Sequence, residues 1–185
     1  MISRVFVDCD QTLVNTSVHP IFSSHLFAPK PKFAYRWHVV TTEARPSAKL
    51  FLEELRRSYD VSILTLGHSH FQARVLKQLG LLSLVDSIYG PDNCDQVPKT
   101  DNFVLIDDME PFSVGIAYKM RWLGHQKSND VNSWPLLLHR HIIQCHPFGG
   151  GLNDGQPLTH LLDAVHERMR LQGSTADQNQ NQDLA

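Results

Sequence analysis

A chain of 185 residues, 42% apolar and 19% charged, is long enough to bury a core and too apolar to read as disordered. Its formal net charge of −2 excludes strong global attraction to nucleic acid or to an anionic membrane, and leaves local basic patches open. No apolar run reaches membrane-spanning length, the N-terminus enters a strand without a signal-peptide pattern, and Cys9, Cys94 and Cys145 stand at unremarkable spacings. The expected location is therefore the reducing cytoplasm.

The first predicted element is a strand over 4 to 8, where Val5, Phe6 and Val7 are the residue types a central strand favours. Residues 13 to 45 carry Pro20, Pro29 and Pro31 and read as irregular, with "FAYRWHVV" alternating enough for a strand or a hairpin arm. "RPSAKLFLEELRRSY" reads as a helix capped by Ser47 or the turn before it, with Leu50, Phe51, Leu55 and Tyr59 as its apolar face. "DVSILTLG" gives a strand ending near Leu64 or Thr65, and "SHFQARVLKQLGL" a helix closed by Gly80. "VDSIYG" and "FVLIDD" are two further strands. "FSVGIAYKMRWLG" is a helix weakened by Gly115, and 124 to 133 a loop. "WPLLLHRHIIQC" predicts a strand, "HPFGGGLNDG" a flexible turn and "PLTHLLDAVHERMRLQ" a last helix. Residues 173 to 185 are polar and low in complexity, and are expected to be a disordered tail.

Apolar strands alternating with helices predict an α/β fold, a Rossmann-like three-layer sandwich around a central parallel sheet. One domain is expected over 1 to 172, with 13 to 45 as a small flap insert in place of a full cap. Such sheets bind ligands beyond the carboxyl ends of their strands. Asp8 and Asp10, Thr65, and Asp107 and Asp108 all follow strand ends, so they are expected to meet in one crevice.

Like-charged carboxylates gathered there ask for a hard cation, and Mg²⁺ takes oxygen ligands and commonly a substrate phosphate. A carboxylate can attack phosphorus and form an aspartyl phosphate, and a second acid two residues on can serve the leaving oxygen as acid and then base. Thr65 offers a hydroxyl, Leu66 and Gly67 offer peptide N–H groups, and Lys99 offers a positive charge to the phosphoryl oxygens.

These motifs resemble the haloacid dehalogenase superfamily of aspartate-dependent phosphohydrolases. "DCDQT", "SILT", Lys99 and "VLIDD" stand in that family's order, each on the expected element. The resemblance implies Asp8 as nucleophile and Asp10 as general acid/base. It implies Mg²⁺ held by the Asp8 side chain, the Asp10 backbone carbonyl and one or both of Asp107 and Asp108, and a phosphoryl group held by Thr65 and Lys99. The layout is most similar to the carboxy-terminal-domain phosphatase (NLI-interacting-factor-like) branch, through "ARPSAKLFLEEL" and "HIIQCHPFGGGLNDGQPLTHLLDAV". It differs in having Asp108 where that branch usually has Asn, and in a Lys99 that stands only eight residues before Asp107. "VLIDD" with a nearby lysine also resembles the deoxyribonucleotidase branch. That branch carries a larger helical cap than residues 11 to 64 have room for.

Other features have plainer readings. His68 and His70 are read either as the start of a helix or as a metal or substrate contact. His139, His141, Cys145 and His146 imitate a zinc cluster, but their spacing fits no zinc pattern, and strand alternation splits them. Phe27, Lys30, Lys32, Phe33, Tyr35, Arg36 and Trp37 interleave aromatic and basic side chains that grip a substrate or pack down on the body. Arg36, Trp37 and His68 are the candidate substrate contacts. The expected function is a Mg²⁺-dependent phosphomonoesterase working on a bulky phosphorylated protein or nucleic-acid end. The alternatives are a nucleotidase on small nucleotides, or a silent binding module, whose usual loss of Asp8 or Asp10 is not seen.

Overall fold

The computed structural model describes residues 3–20, 32–98, 102–123, 135, 138–152 and 154–182, without the side chains of 173–182. Its strands are β1 (Arg4–Val7), β2 (Val14–Pro20), β3 (Lys32–Tyr35), β4 (His38–Ala44), β5 (Asp60–Leu64), β6 (Ser87–Tyr89), β7 (Phe103–Asp107) and β8 (Ile142–Gln144). Its helices are α1 (Ala48–Arg56), α2 (Ser69–Gln78), α3 (Pro111–Leu123) and α4 (Leu162–Gln182).

The central sheet is parallel, in the order β6-β5-β1-β7-β8. Alternate residues of its strands feed two apolar layers, as a sheet buried on both faces requires. Val5, Val7, Val61, Ile63, Val104 and Ile106 join residues of α1, α2 and α4, whereas Phe6, Leu64, Phe103 and Leu105 meet Val114, Tyr118 and Trp122 of α3. Val7 pairs with both Ile63 and Ile106, so the three central strands end level. That register brings the residues after each strand to one edge.

Several expectations change. The segment expected to be irregular holds a three-stranded antiparallel sheet, β2-β4-β3, with Arg36 and Trp37 in the tight turn between β3 and β4. Leu50 points outward at 52% exposure, and Phe51, Leu52 and Leu55 are the buried face of α1. Ser47 precedes α1 without a side-chain cap. Its hydroxyl donates to Asp154 and accepts from the Leu158 N–H. Of the strand predicted across 134 to 145, the described residues keep β8 and place a 3-10 turn at Leu138–Arg140. Helical backbone runs on to Gln182 in the segment expected to be a disordered tail.

The glycine-rich segment is not a loose turn. Asp154 pairs with the fully buried Arg45, whose Nη1 donates to Thr12 O at 3.1 Å and whose Nη2 donates to Gln156 O at 3.0 Å. Phe148 N donates to Gln11 O, and Asn15 Nδ2 to Gly149 O at 2.7 Å. Gly150 sits at φ +93°, a backbone conformation that strains any residue with a side chain. The loop from Phe148 onward thus ties the first motif to α1.

Candidate active site

The crevice at the level strand ends has a volume of about 190 Å³ and is lined by Asp8, Asp10, Gln11, Thr65, Leu66, Gly67, Asp107, Asp108 and Met109. Seven of the residues expected to converge do so: Asp8, Asp10, Thr65, Leu66, Gly67, Asp107 and Asp108. Lys99 lies outside the described residues. Arg36 and Trp37 are not part of the lining, and Trp37 is 81% exposed.

Asp8 extends β1, and its N–H donates to Ile106 O at 2.8 Å. The chain then folds back sharply, with Gln11 at φ +62° and the Leu13 and Val14 N–H groups both donating to Cys9 O. This bend turns Asp10 toward α2. There Gln72 Nε2 donates to Asp10 Oδ2 at 2.5 Å. Asp10 Oδ1, the other carboxylate oxygen, is shut off from solvent. Asp107 ends β7, and its Oδ1 accepts the Met109 N–H at 2.8 Å. Thr12 donates to Asp108 Oδ1 at 3.2 Å.

Behind the crevice, in the α3 layer, lies Tyr118. Its hydroxyl donates to Leu64 O at 2.7 Å, and the same oxygen stands 3.5 Å from Asp8 Oδ1 and 3.5 Å from Asp107 Oδ2. Strand alternation explains the meeting, since Phe6 and Asp8, like Leu105 and Asp107, point to the face that α3 covers. On the far side Gly67 N donates to Thr65 Oγ1 at 3.1 Å, so that N–H is engaged and the hydroxyl keeps its own hydrogen to give. A Cβ at Gly67 would lie 2.6 Å from Gln72 Nε2, so the glycine makes room for the side chain that holds Asp10.

The electrostatics are one-sided. Burial raises the Asp8 carboxyl well above its ordinary value, and the charges of Asp107 and Asp10 raise it further. Burial likewise lifts Asp10, against the Gln72 hydrogen bond, and lifts Asp108, against the hydrogen bond from Thr12. Asp107 is pushed up to about 6 by burial, with the Asp108 charge adding to it. No lysine or arginine is among the described lining residues. One carboxylate oxygen from each of Asp8, Asp107 and Asp108 lies within 4.8 Å of the others, a hard-oxygen donor set that suits Mg²⁺.

Gln72, Tyr118 and the Arg45–Asp154 pair are contributors that sequence reasoning missed. Gln72 and Tyr118 left one signal: each is a polar group in an otherwise apolar helical stripe, beside Val75 and Leu76 in α2 and between Val114 and Trp122 in α3. The apparent zinc cluster of 139 to 146 dissolves, because Cys145 turns in to Thr12 and Arg45 while His141 stacks on Phe103.

Parallel strands that deliver acids to one open end make the α/β arrangement that the resemblance to the haloacid dehalogenase superfamily predicts. The NLI interacting factor-like phosphatase family model matches residues 4–109, and the chain belongs to that family. Among curated proteins no relative matches. Among solved structures the chain is similar to fission yeast RNA polymerase II CTD phosphatase Fcp1, an altered form bound to beryllium fluoride, with TM-score 0.52 and 15% identity over 96% of this chain and 54% of that one. A second structure of Fcp1, described as an essential RNA polymerase II CTD phosphatase, gives TM-score 0.51 and 17% identity over 96% and 53%. The chain thus spans about half the length of these structures.

Proposed function

We propose that this chain is a Mg²⁺-dependent phosphomonoester hydrolase that works through an aspartyl phosphate on Asp8. The observation that carries the reading is the crevice itself, four carboxylates raised by burial with no cationic side chain in its described lining. Asp8, Asp107 and Asp108, with the Asp10 backbone carbonyl, would hold the metal. When bound, it would offset the carboxylate charge and that of the phosphoryl oxygens.

In the first half-reaction an Asp8 carboxylate oxygen bonds to phosphorus, the bond to the leaving oxygen breaks, and Asp10 gives that oxygen its proton. In the second, Asp10 takes a proton from water as the water oxygen bonds to phosphorus, and Asp8 leaves as a carboxylate. Proton transfer by such a group contributes roughly 10²- to 10⁴-fold. Gln72 keeps Asp10 turned into the crevice. The Thr65 hydroxyl, the Leu66 N–H and Lys99 are the groups for the phosphoryl oxygens.

A phosphoprotein is the substrate class proposed. The described residues of the insert form a small β-sheet, which suits a phosphate on a bulky carrier, and both similar structures are of a phosphatase named for a polymerase domain. The test is hydrolysis of an aryl phosphate with EDTA and with Mg²⁺, followed by phosphopeptides, nucleotides and phosphorylated oligonucleotides. Activity that needs Mg²⁺ and is highest on phosphopeptides is expected. Full activity in metal-free protein would overturn the mechanism, and preference for nucleotides would favour the nucleotidase reading.

A further inference from the structure

A second constellation of ligating groups stands outside the acidic crevice, where the loops after β5 and β6 touch. His68 and His70 open α2, and Asp92 follows β6. One nitrogen of each imidazole and one carboxylate oxygen of Asp92 lie within 4.8 Å of one another. His68 Nδ1 is 3.8 Å from Asp92 Oδ1, and His70 Nδ1 is 3.3 Å from Asp92 Oδ2. Ligands of a tetrahedral Zn²⁺, each about 2.1 Å from the ion, sit roughly 3.4 Å apart, so these separations bracket what the ion needs.

We propose that His68, His70 and Asp92 form a site for a divalent transition ion of the Zn²⁺ class, separate from the acidic crevice. Two imidazoles with one carboxylate favour such an ion over Mg²⁺, which prefers oxygen.

What sets the cluster apart from a surface ion pair is that its outer contacts are already built. A ligating imidazole ordinarily gives its other nitrogen to a hydrogen-bond partner that fixes the ring, and a ligating carboxylate is itself hydrogen-bonded. His70 has its Nδ1 toward Asp92 and its Nε2 at 2.8 Å from the Tyr35 hydroxyl of β3. Asp92 accepts the Ser69 N–H on Oδ1 and the Ser69 hydroxyl on Oδ2, each at 2.7 Å.

Gly90 makes the meeting possible. A Cβ there would lie 2.3 Å from Gly67 O and 2.8 Å from Ser69 N, so no larger residue lets the two loops approach. The side chains of His68 and His70 are 41% and 57% exposed, which leaves coordination positions for water or a substrate group. Through Tyr35 the ion would also steady the β2–β4–β3 flap.

The test is a calorimetric titration of Zn²⁺ into the chelator-stripped full chain in excess Mg²⁺, repeated with His70→Gln, Asp92→Asn, Tyr35→Phe and Asp107→Asn. The acidic crevice also takes Zn²⁺ in preference to Mg²⁺, and Asp107→Asn identifies that component. The parent should show two classes of site. His70→Gln and Asp92→Asn should each lose one class that Asp107→Asn keeps, and Tyr35→Phe should weaken it by about tenfold or more. Anomalous scattering from a Zn²⁺-soaked crystal should peak between His68, His70 and Asp92. The proposal is overturned if the parent shows only the class that Asp107→Asn removes, or if neither His70→Gln nor Asp92→Asn changes the titration. Since one replacement lies on α2 and the other on the β6 loop, a fold defect in one variant, read by circular dichroism, leaves the other decisive.

Discussion

Asp8 is held in an uncomfortable place for a charge, buried beside three other acids and a tyrosine oxygen. That discomfort separates its chemical role from its structural cost. Asp8→Asn keeps the shape and removes the nucleophile, so turnover and any acid-stable phosphoenzyme should vanish. The metal-free variant should also melt higher than the parent, because one of the mutually repelling groups is gone. Normal turnover in a folded Asp8→Asn protein would refute the assignment. Asp10 is placed differently, lining the crevice with one oxygen held by Gln72 and the other buried. Asp10→Asn should cost about 10²- to 10⁴-fold on substrates with poor leaving groups and much less on a nitrophenyl ester, which needs little protonation. An equal loss across a leaving-group series would argue against Asp10 as the acid. The pairing of Asp10 with Gln72 was not legible beforehand, because a glutamine 62 positions away gives no local sign of which strand end its helix will cross.

The flap is tied down along one edge. Phe33 and Tyr35 of β3 lie against Phe71 of α2, with Arg74 over both of their rings, and Tyr35 reaches His70. The Arg36–Trp37 turn follows directly, leaving Trp37 exposed and outside the crevice lining. Replacing Arg36 and Trp37 with alanine should therefore reduce kcat/KM for a long phosphopeptide and spare a small aryl phosphate, because remote contacts help only substrates long enough to make them. Equal losses on both would show that the turn supports the fold instead. A second element, the loop from Phe148 to Asp154, depends on a buried ion pair. Asp154→Ala strands the Arg45 guanidinium without its counter-ion, which should cost about 3–5 kcal/mol in urea unfolding. Arg45→Met combined with Asp154→Leu should recover much of that loss. No recovery in the double variant would mean that the remaining hydrogen bonds of Arg45, to Thr12 and Gln156, carry the stability.

At the scale of the whole molecule, the acidic end of the sheet opposes folding whenever no cation fills it. Asp107 binds its proton more tightly folded, with a value pushed up to about 6, than unfolded, where an aspartyl carboxyl titrates near 4. Between those values the folded state carries more protons, so metal-free stability must fall as pH rises from about 4 through 6, by up to about 3 kcal/mol from this group. Melting in EDTA across that range should show the decline, and Mg²⁺ should reverse it at neutral pH. A flat or rising profile in EDTA would contradict the burial of these acids. Taken alone, the sequence determined the alternation of strands and helices, and with it the delivery of Asp8, Asp10, Thr65, Asp107 and Asp108 to one end of a parallel sheet. Periodicity along a few residues encodes that much, since every strand of a parallel sheet ends on the same side. Only the tertiary structure decided that the proline-rich stretch closes into a sheet, that Asp154 finds Arg45 across 109 positions, and that His68, His70 and Asp92 meet. Those pairings depend on how loops and helix faces close over the finished sheet, and no local pattern of residues carries that information.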